Sequence, residues 1–391
     1  MPDYLKRAFE LDSEILEMRR YLHQNPEVGN ELPKTTAYIK KKLTEYGCEF
    51  EEICKGGIVA NIGNKKGKTV LIRGDIDALP HKELSGEPFA STNGYSHSCG
   101  HDIHTASLLT CAKMLKETES ELLGNVKLCF QPDEESINGA LSMIAAGVME
   151  NPHVDAAISM HTNLPLMAGS FNVLPGTYLS SSDIFRIEVI GKAAHGSAPE
   201  NGLDPINIAT KIVDAVQTIS TREVTAFSPN VITFGSIHGG DAPNIIPDSC
   251  VLTGTIRNFK REPRDYVKSR FVEIVKGICS TFRAEVKVEF TSQTPTTYNN
   301  PQLTEKLVGY LREMAGEDRV FMNDLGVKGS DDFAYFSELV PGVMYHVGMG
   351  TLEEGYTYGL HNPRVRFDER ALPYSAAAFA HITYRWTQDN R

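Results

Sequence analysis

The sequence runs to 391 residues, 41% hydrophobic and 23% charged, a balance that suits a soluble globular chain long enough for two domains. Its 39 lysines and arginines against 50 aspartates and glutamates leave a formal charge of −11, which repels phosphate backbones and excludes nucleic acid as an expected partner. No apolar run approaches the ~18 residues of a membrane span, and the N-terminal "MPDYLKRAFELDSEILEM" is charged at helical spacing, unlike a secretory signal.

In chain order, Leu11, Ile15, Met18 and Leu22 recur at helical spacing until Pro26 and Gly29 stop the pattern. A second helix is expected over Lys34 to Tyr46, closed by Gly47. Then "IVANIG" and "TVLIRGDIDALP" read as strands, the latter a buried one ending near Gly74. "DIHTASLLTCAKMLKE" is helical, with Asp102 placed to cap it. "VKLCF" reads as a strand, "INGALSMIAAGVME" as a helix and "VDAAISMH" as a strand. This alternation predicts an α/β unit with a mostly parallel sheet and helices on both faces. In such sheets ligands bind beyond the carboxyl ends of the strands, where Asp75, Asp77, Asp133, Glu134, Glu135 and His161 fall here.

From about Ile184 the pattern changes to strand 184–190, helix 206–221, strand 230–237, strand 250–257, helix 263–282 and strand 284–291. This βαββαβ order predicts a ferredoxin-like α+β insertion over residues 184–296, with the first domain occupying 1–183 and resuming over 297–391. "GVMYHVG" and a final helix near 371–386 belong to that resumed part.

Polar chemistry concentrates in "HSCGHDIHT", residues 97–105. A thiolate and an imidazole suit zinc and related ions, yet a polar loop capping a helix also explains the stretch, with His97 and His104 as packing or hydrogen-bonding support. A redox thiol at Cys99 is a third reading, disfavoured because the 7 cysteines include no C-x-x-C pair and no resolving partner near Cys99. Their odd number and irregular spacing predict reduced thiols and a cytoplasmic setting. In "FQPDEES" the adjacent Glu134 and Glu135 could be a solvated pair; beside a metal, one would bind the ion and the other shuttle protons. His161 ends another apolar strand.

With these pieces in order, the sequence resembles the co-catalytic metallo-amidohydrolases and metallopeptidases related to aminoacylase and carboxypeptidase G. Nearest is the subgroup of hippurate hydrolases, N-acyl-amino-acid amidohydrolases and indole-acetyl-amino-acid hydrolases. The motifs that carry the resemblance are "LHQNPEVG", "RGDIDALP", "SCGHDIHTASLL", "FQPDEE", "MHTNLP", "GKAAHGSAPENGLDP", "PNIIPDSCVLTGTIR", "GSDDFAYF" and "GLHNPRVRFDE", spread nearly end to end. The resemblance implies a zinc-exopeptidase-like catalytic domain with an inserted lid that pairs two subunits into a homodimer. It implies two divalent ions per subunit, zinc or manganese with nickel or cobalt as alternatives, held by Cys99, His101, Glu135, His161 and His361. It further implies Glu134 as general base, Asp77 as the acid that orients a ligand histidine or the substrate end of the site, and His195 as a lid histidine that reaches into the partner's site. Asn244, Arg257, Gly329 and Ser330 match positions that hold the substrate carboxylate.

The activity so implied is hydrolysis of a small-molecule N-acyl-L-amino acid, N-acetyl-diaminopimelate among the candidates, with a dipeptidase or carboxypeptidase as the alternative and a non-catalytic scaffold as the last option. Three departures from the family pattern bear on substrate preference: Asp133 and Ser136 in "QPDEES", Asp331 in "GSDD", and Glu200 after Pro199.

Overall fold

The computed structural model describes residues 1–63, 67–322 and 328–390. The chain divides into two compact units, one from Met1–Tyr178, Tyr298–Leu325 and Asp331–Arg391, the other from Leu179–Thr297 and Gly326–Ser330.

The first unit is organised by an eight-stranded sheet in the order Glu49–Cys54, Gly57–Gly63, Asn125–Gln131, Thr69–Asp75, Ala156–Asn163, Gly342–Gly348, Phe171–Asn172, Val320–Phe321. Thr69–Asp75 lies parallel to both its neighbours, and Gly342–Gly348 parallel to Ala156–Asn163. Antiparallel pairing enters at the Glu49–Cys54/Gly57–Gly63 edge and at Phe171–Asn172. Every residue of Thr69–Asp75, Asn125–Gln131 and Gly342–Gly348 is buried, as the unbroken apolar runs require of strands covered on both faces. The class is therefore α/β, as the alternation predicts.

Three parallel strands point their carboxyl ends to one edge. Thr69–Asp75 leads to Asp77, Asn125–Gln131 leads to Glu134 and Glu135, and Ala156–Asn163 carries His161. The helix that returns the chain below this edge, His101–Glu117, is buried over almost its whole length and packs against Asp12–Gln24 and Leu372–Asp389.

Two local expectations change. The helix read over 137–150 is only Gly139–Ala145, because Gly147 adopts φ 91° and Val148 N–H turns back to the Met143 carbonyl. Asp102 does not cap its helix: Gly100, at φ 87°, is the N-cap, no side chain caps it, and Asp102 sits inside the first turn. Its carboxylate is drawn elsewhere, to Arg19 and His23.

The second unit is a four-stranded antiparallel sheet, Asn230–His238, Ser249–Asn258, Ser182–Ile190, Glu285–Thr294 in spatial order, with helices Pro205–Thr218 and Pro263–Thr281. Numbered along the chain this is 2-3-1-4, the strand order of a ferredoxin-like unit. Ser249–Asn258 alternates partly and fully buried residues, so one face carries Phe185, Ile187, Leu252 and Ile256 into a core that Phe271 enters from the helix Pro263–Thr281. The first helix starts on a complete cap: Asp204 accepts from the Ile206 and Asn207 N–H groups, and Pro205 occupies the first position.

All seven cysteines are free thiols. Among the described residues no helix is long and apolar enough to cross a membrane.

Phe271 is fully buried, with its ring 4.6 Å from that of Phe185. Phe271→Ala is expected to cost the second unit about 3–5 kcal/mol, read as a lowered urea midpoint for its transition.

Candidate metal centre

The turn Cys99–Gly100–His101 brings two donors to the edge of the sheet, and its backbone has little room. A Cβ on Gly100 would stand 2.6 Å from Thr162 Oγ1, the hydroxyl that donates to the Cys99 carbonyl at 2.8 Å. Glycine is thus required twice over, for the left-handed φ and for the close approach.

Around this turn the expected side chains converge. Cys99 Sγ is 3.4 Å from His161 Nε2 and 3.3 Å from His361 Nε2. Glu135 Oε2 lies 3.6 Å from His361 Nε2, and Glu135 Oε1 lies 3.9 Å from His101 Nε2. Atoms bonded at about 2.0–2.3 Å to one tetrahedral ion stand roughly 3.3–3.7 Å apart, close to the spacings found. His101 Nε2 and Glu135 Oε1 are buried without a hydrogen-bond partner, which is costly unless a cation satisfies them. The donor set therefore fits a metal.

The histidines are held in the tautomer that metal binding needs. His101 Nδ1–H donates to the Asp77 carbonyl at 2.9 Å, and His161 Nδ1–H donates to the Thr162 carbonyl at 2.8 Å, so each presents Nε2. His361 reaches the cluster from a left-handed backbone, φ 64°, with its N–H donating to the Ser98 carbonyl at 3.0 Å. A non-glycine residue in that region stores strain of about 1–3 kcal/mol, the kind that accumulates at functional positions.

Asp77 ties the two halves together. Its carboxylate accepts the Glu134 N–H at 3.2 Å and the Glu135 N–H at 3.3 Å, and Oδ1 stands 3.4 Å from His101 Nδ1. One buried side chain thereby fixes the loop that presents both glutamates and the ring that faces them. Asp133 helps close that loop through its backbone, whose carbonyl accepts from Asn138 and Gly139 at a left-handed φ of 57°.

The cluster is strongly acidic. Burial, with Asp331, Glu135, Asp332 and Asp75 nearby, pushes the Glu134 carboxyl well above its usual range, and burial carries Glu135 up to about 7. Burial, with Glu135, Glu134, Asp75 and Asp331 nearby, raises the Cys99 thiol as well. Burial disfavours the charged His101 ring but is outweighed by Asp75, Asp77 and Glu135, which lift it to about 10. Divalent cations here would reverse this logic, stabilising thiolate and carboxylates and replacing the proton on His101.

Arg73 is the buried counter-charge. Its guanidinium lies 2.7 Å from Asp75, 2.7 Å from Asp332 and 3.1 Å from Asp331, while its Nε donates to Gln131 at 2.8 Å. Asp332 also accepts from Gln131 and from the Ala140 N–H. Of these residues the sequence singled out Asp75, at the edge of the sheet, and Asp331, as a departure from the family pattern, but not Arg73, Gln131 or Asp332; their roles depend on contacts between residues about 258 positions apart.

His104 is a bridge: Nδ1 bonds Asp75 and Nε2 accepts from the Thr162 N–H at 2.9 Å. His97 is buried with neither ring nitrogen hydrogen-bonded, and burial drives it down to about 3, so it is neutral.

The remaining expected residues lie in the second unit. Arg257 Nη1 donates to Ser330 Oγ at 3.0 Å, and the Gly329 carbonyl accepts from the Ser180 N–H at 3.0 Å. His195 is exposed; it pairs with Ile245 in a short ribbon beside Asn244, whose carbonyl accepts the Gly196 N–H at 2.8 Å.

Comparison with known proteins agrees with this geometry. Residues 71–385 match the model of Peptidase family M20/M25/M40. An N-acetyl-L-cysteine deacetylase of Bacillus subtilis is 37% identical over 93% of this chain and 85% of its own. Thermostable carboxypeptidase 2 of Saccharolobus solfataricus is 34% identical over 97% of this chain and 96% of its own. A solved Bacillus subtilis structure described as a dinuclear metal binding peptidase of the M20 family superposes with a TM-score of 0.83 at 30% identity, covering 97% of this chain and 99% of its own. The chain belongs to Peptidase family M20/M25/M40 and is a metal-dependent amidohydrolase of that family.

Asp77→Ala is expected to weaken metal binding about 10–100-fold, measured by competition with a chromophoric chelator. Cys99→Ala is expected to purify with less metal; full occupancy in elemental analysis would remove Cys99 from the ligand set.

Proposed function

We propose that the protein hydrolyses the amide bond of N-acyl-L-amino acids at a two-metal centre, with Cys99, His101, Glu135, His161 and His361 as ligands and Glu134 as general base. The observation that carries this reading is the position of Glu134: buried, it stands beside the donor cluster with Oε2 3.9 Å from His101 Nε2, yet its neighbour Glu135 meets both His101 and His361. Adjacent residues on one loop thus divide the labour, one carboxylate binding metal and one left to move protons.

Two divalent ions, zinc or manganese, would acidify a water and polarise the scissile carbonyl. Glu134 accepts the proton of the attacking water as its oxygen bonds to the acyl carbon. It returns that proton to the amine nitrogen as the C–N bond breaks, giving a carboxylate and a free amino acid. His195, supplied by a second copy, serves as the donor that stabilises the developing oxyanion. Arg257, a rigid fork backed by Ser330, suits bidentate capture of the amino-acid carboxylate, with Asn244 and Gly329 completing that end.

The name of the deacetylase relative supports an acylated amino acid as the substrate. A carboxypeptidase-like activity is the second reading, favoured by the archaeal relative's name. A chromatographic screen of acetyl-, benzoyl- and aminoacyl-amino acids, N-acetyl-diaminopimelate included, with each metal in turn, separates them by product. Release of a free amino acid from acyl donors only supports the first; turnover confined to peptides overturns it.

Glu134→Gln is expected to keep both metals and lose about 10²–10⁴ in turnover; near-normal rate would sink the base assignment. Mixing Glu134→Gln with His195→Ala subunits is expected to restore part of the activity, and no recovery in verified mixed dimers would place each site within one chain.

A further inference from the structure

A second buried ionic cluster of the first unit, apart from the one around Arg73, surrounds Asp102, the residue after His101. Its carboxylate is wholly buried and pairs with Arg19 Nε at 2.9 Å and His23 Nδ1 at 2.8 Å. Each partner is itself anchored. Arg19 reaches Glu369 Oε1 at 3.0 Å and lies 4.7 Å over the Phe89 ring; His23 Nε2 is 3.0 Å from Glu83 Oε1. Glu83 in turn accepts the Ser91 N–H at 2.6 Å. Arg19 and His23 stand four residues apart on the Asp12–Gln24 helix, hence on one face, and that face meets the first turn of His101–Glu117.

Burying so many charges is expensive, and apolar residues of like size would often hold two helices together at least as well. What a network of this kind supplies is a fixed geometry. The turn needs one, because Gly100 offers no side chain to cap the helix. Cys99 and His101 flank Gly100, so any rotation of the first helical turn moves both donor atoms together.

We propose that Arg19 and His23 are positioning residues: through Asp102 they lock the first turn of the His101–Glu117 helix, so that Cys99 and His101 stand ready before metal arrives. The inference rests on the metal reading above and extends it to residues of the Asp12–Gln24 helix that touch neither metal nor substrate.

The test is zinc binding to the metal-stripped, folded protein by chelator competition, with urea midpoints of the metal-free forms measured in parallel. His23→Leu is expected to bind zinc about 10–100-fold more weakly, while His23→Asn, whose amide can still donate to Asp102, binds near wild-type strength. A network that merely stabilised the fold would lower the urea midpoint and leave the affinity of the folded protein unchanged; that result overturns the inference, as does equal weakening in both variants. Should His23→Leu not fold, Arg19→Lys carries the test, since it keeps the charge but not the fork that spans Asp102 and Glu369; wild-type affinity there overturns it too. Wild-type protein that takes up no zinc would overturn the metal reading and this inference with it, whereas tight binding by wild type and every variant would overturn the inference alone.

Discussion

The carboxylate of Asp77 is the constraint on which the first unit's chemistry depends. It receives the N–H groups of Glu134 and Glu135 and stands against His101 Nδ1, while the Asp77 carbonyl accepts the His101 Nδ1–H. Two strand ends and one helix start are thereby referred to a single buried residue. A parallel sheet makes this economical: its carboxyl ends share an edge, so loops that are distant in sequence begin within a few ångströms of one another.

Acidity is the second theme. Asp75, Asp77, Glu134, Glu135, Asp331 and Asp332 share a small volume with Arg73 as the chief permanent counter-charge. Burial pushes Asp332 up to about 7 despite Arg73, while Asp75, close to Arg73, His101 and His104, is held well below the usual carboxylate range in spite of its burial. Such a cluster is poorly balanced as a protein interior and well suited to divalent cations. The same features would destabilise an empty fold and favour a loaded one, which links metal uptake to folding stability.

Much of the architecture was legible because it rests on local pattern. Continuous apolar runs such as "TVLIR" mark strands buried on both faces, and alternation in "SCVLTGTIRN" marks a strand with one buried face; both follow from side-chain direction. Element ends were less legible. Asp102 has the composition of a cap, yet long-range partners took its carboxylate and left Gly100 at the cap position. Local propensity yields where a buried ion pair is at stake.

By itself the sequence determined the residue types that can bind a cation, the strands and helices that carry them, and, through resemblance, which ones belong together. Only the tertiary structure decided which nitrogen each histidine presents, that Asp77 joins the glutamate loop to His101, and that Arg73 and Arg19 are the buried counter-charges of two carboxylate clusters. These depend on distances between atoms far apart along the chain, set by packing of whole strands and helices, and no short stretch of sequence encodes them.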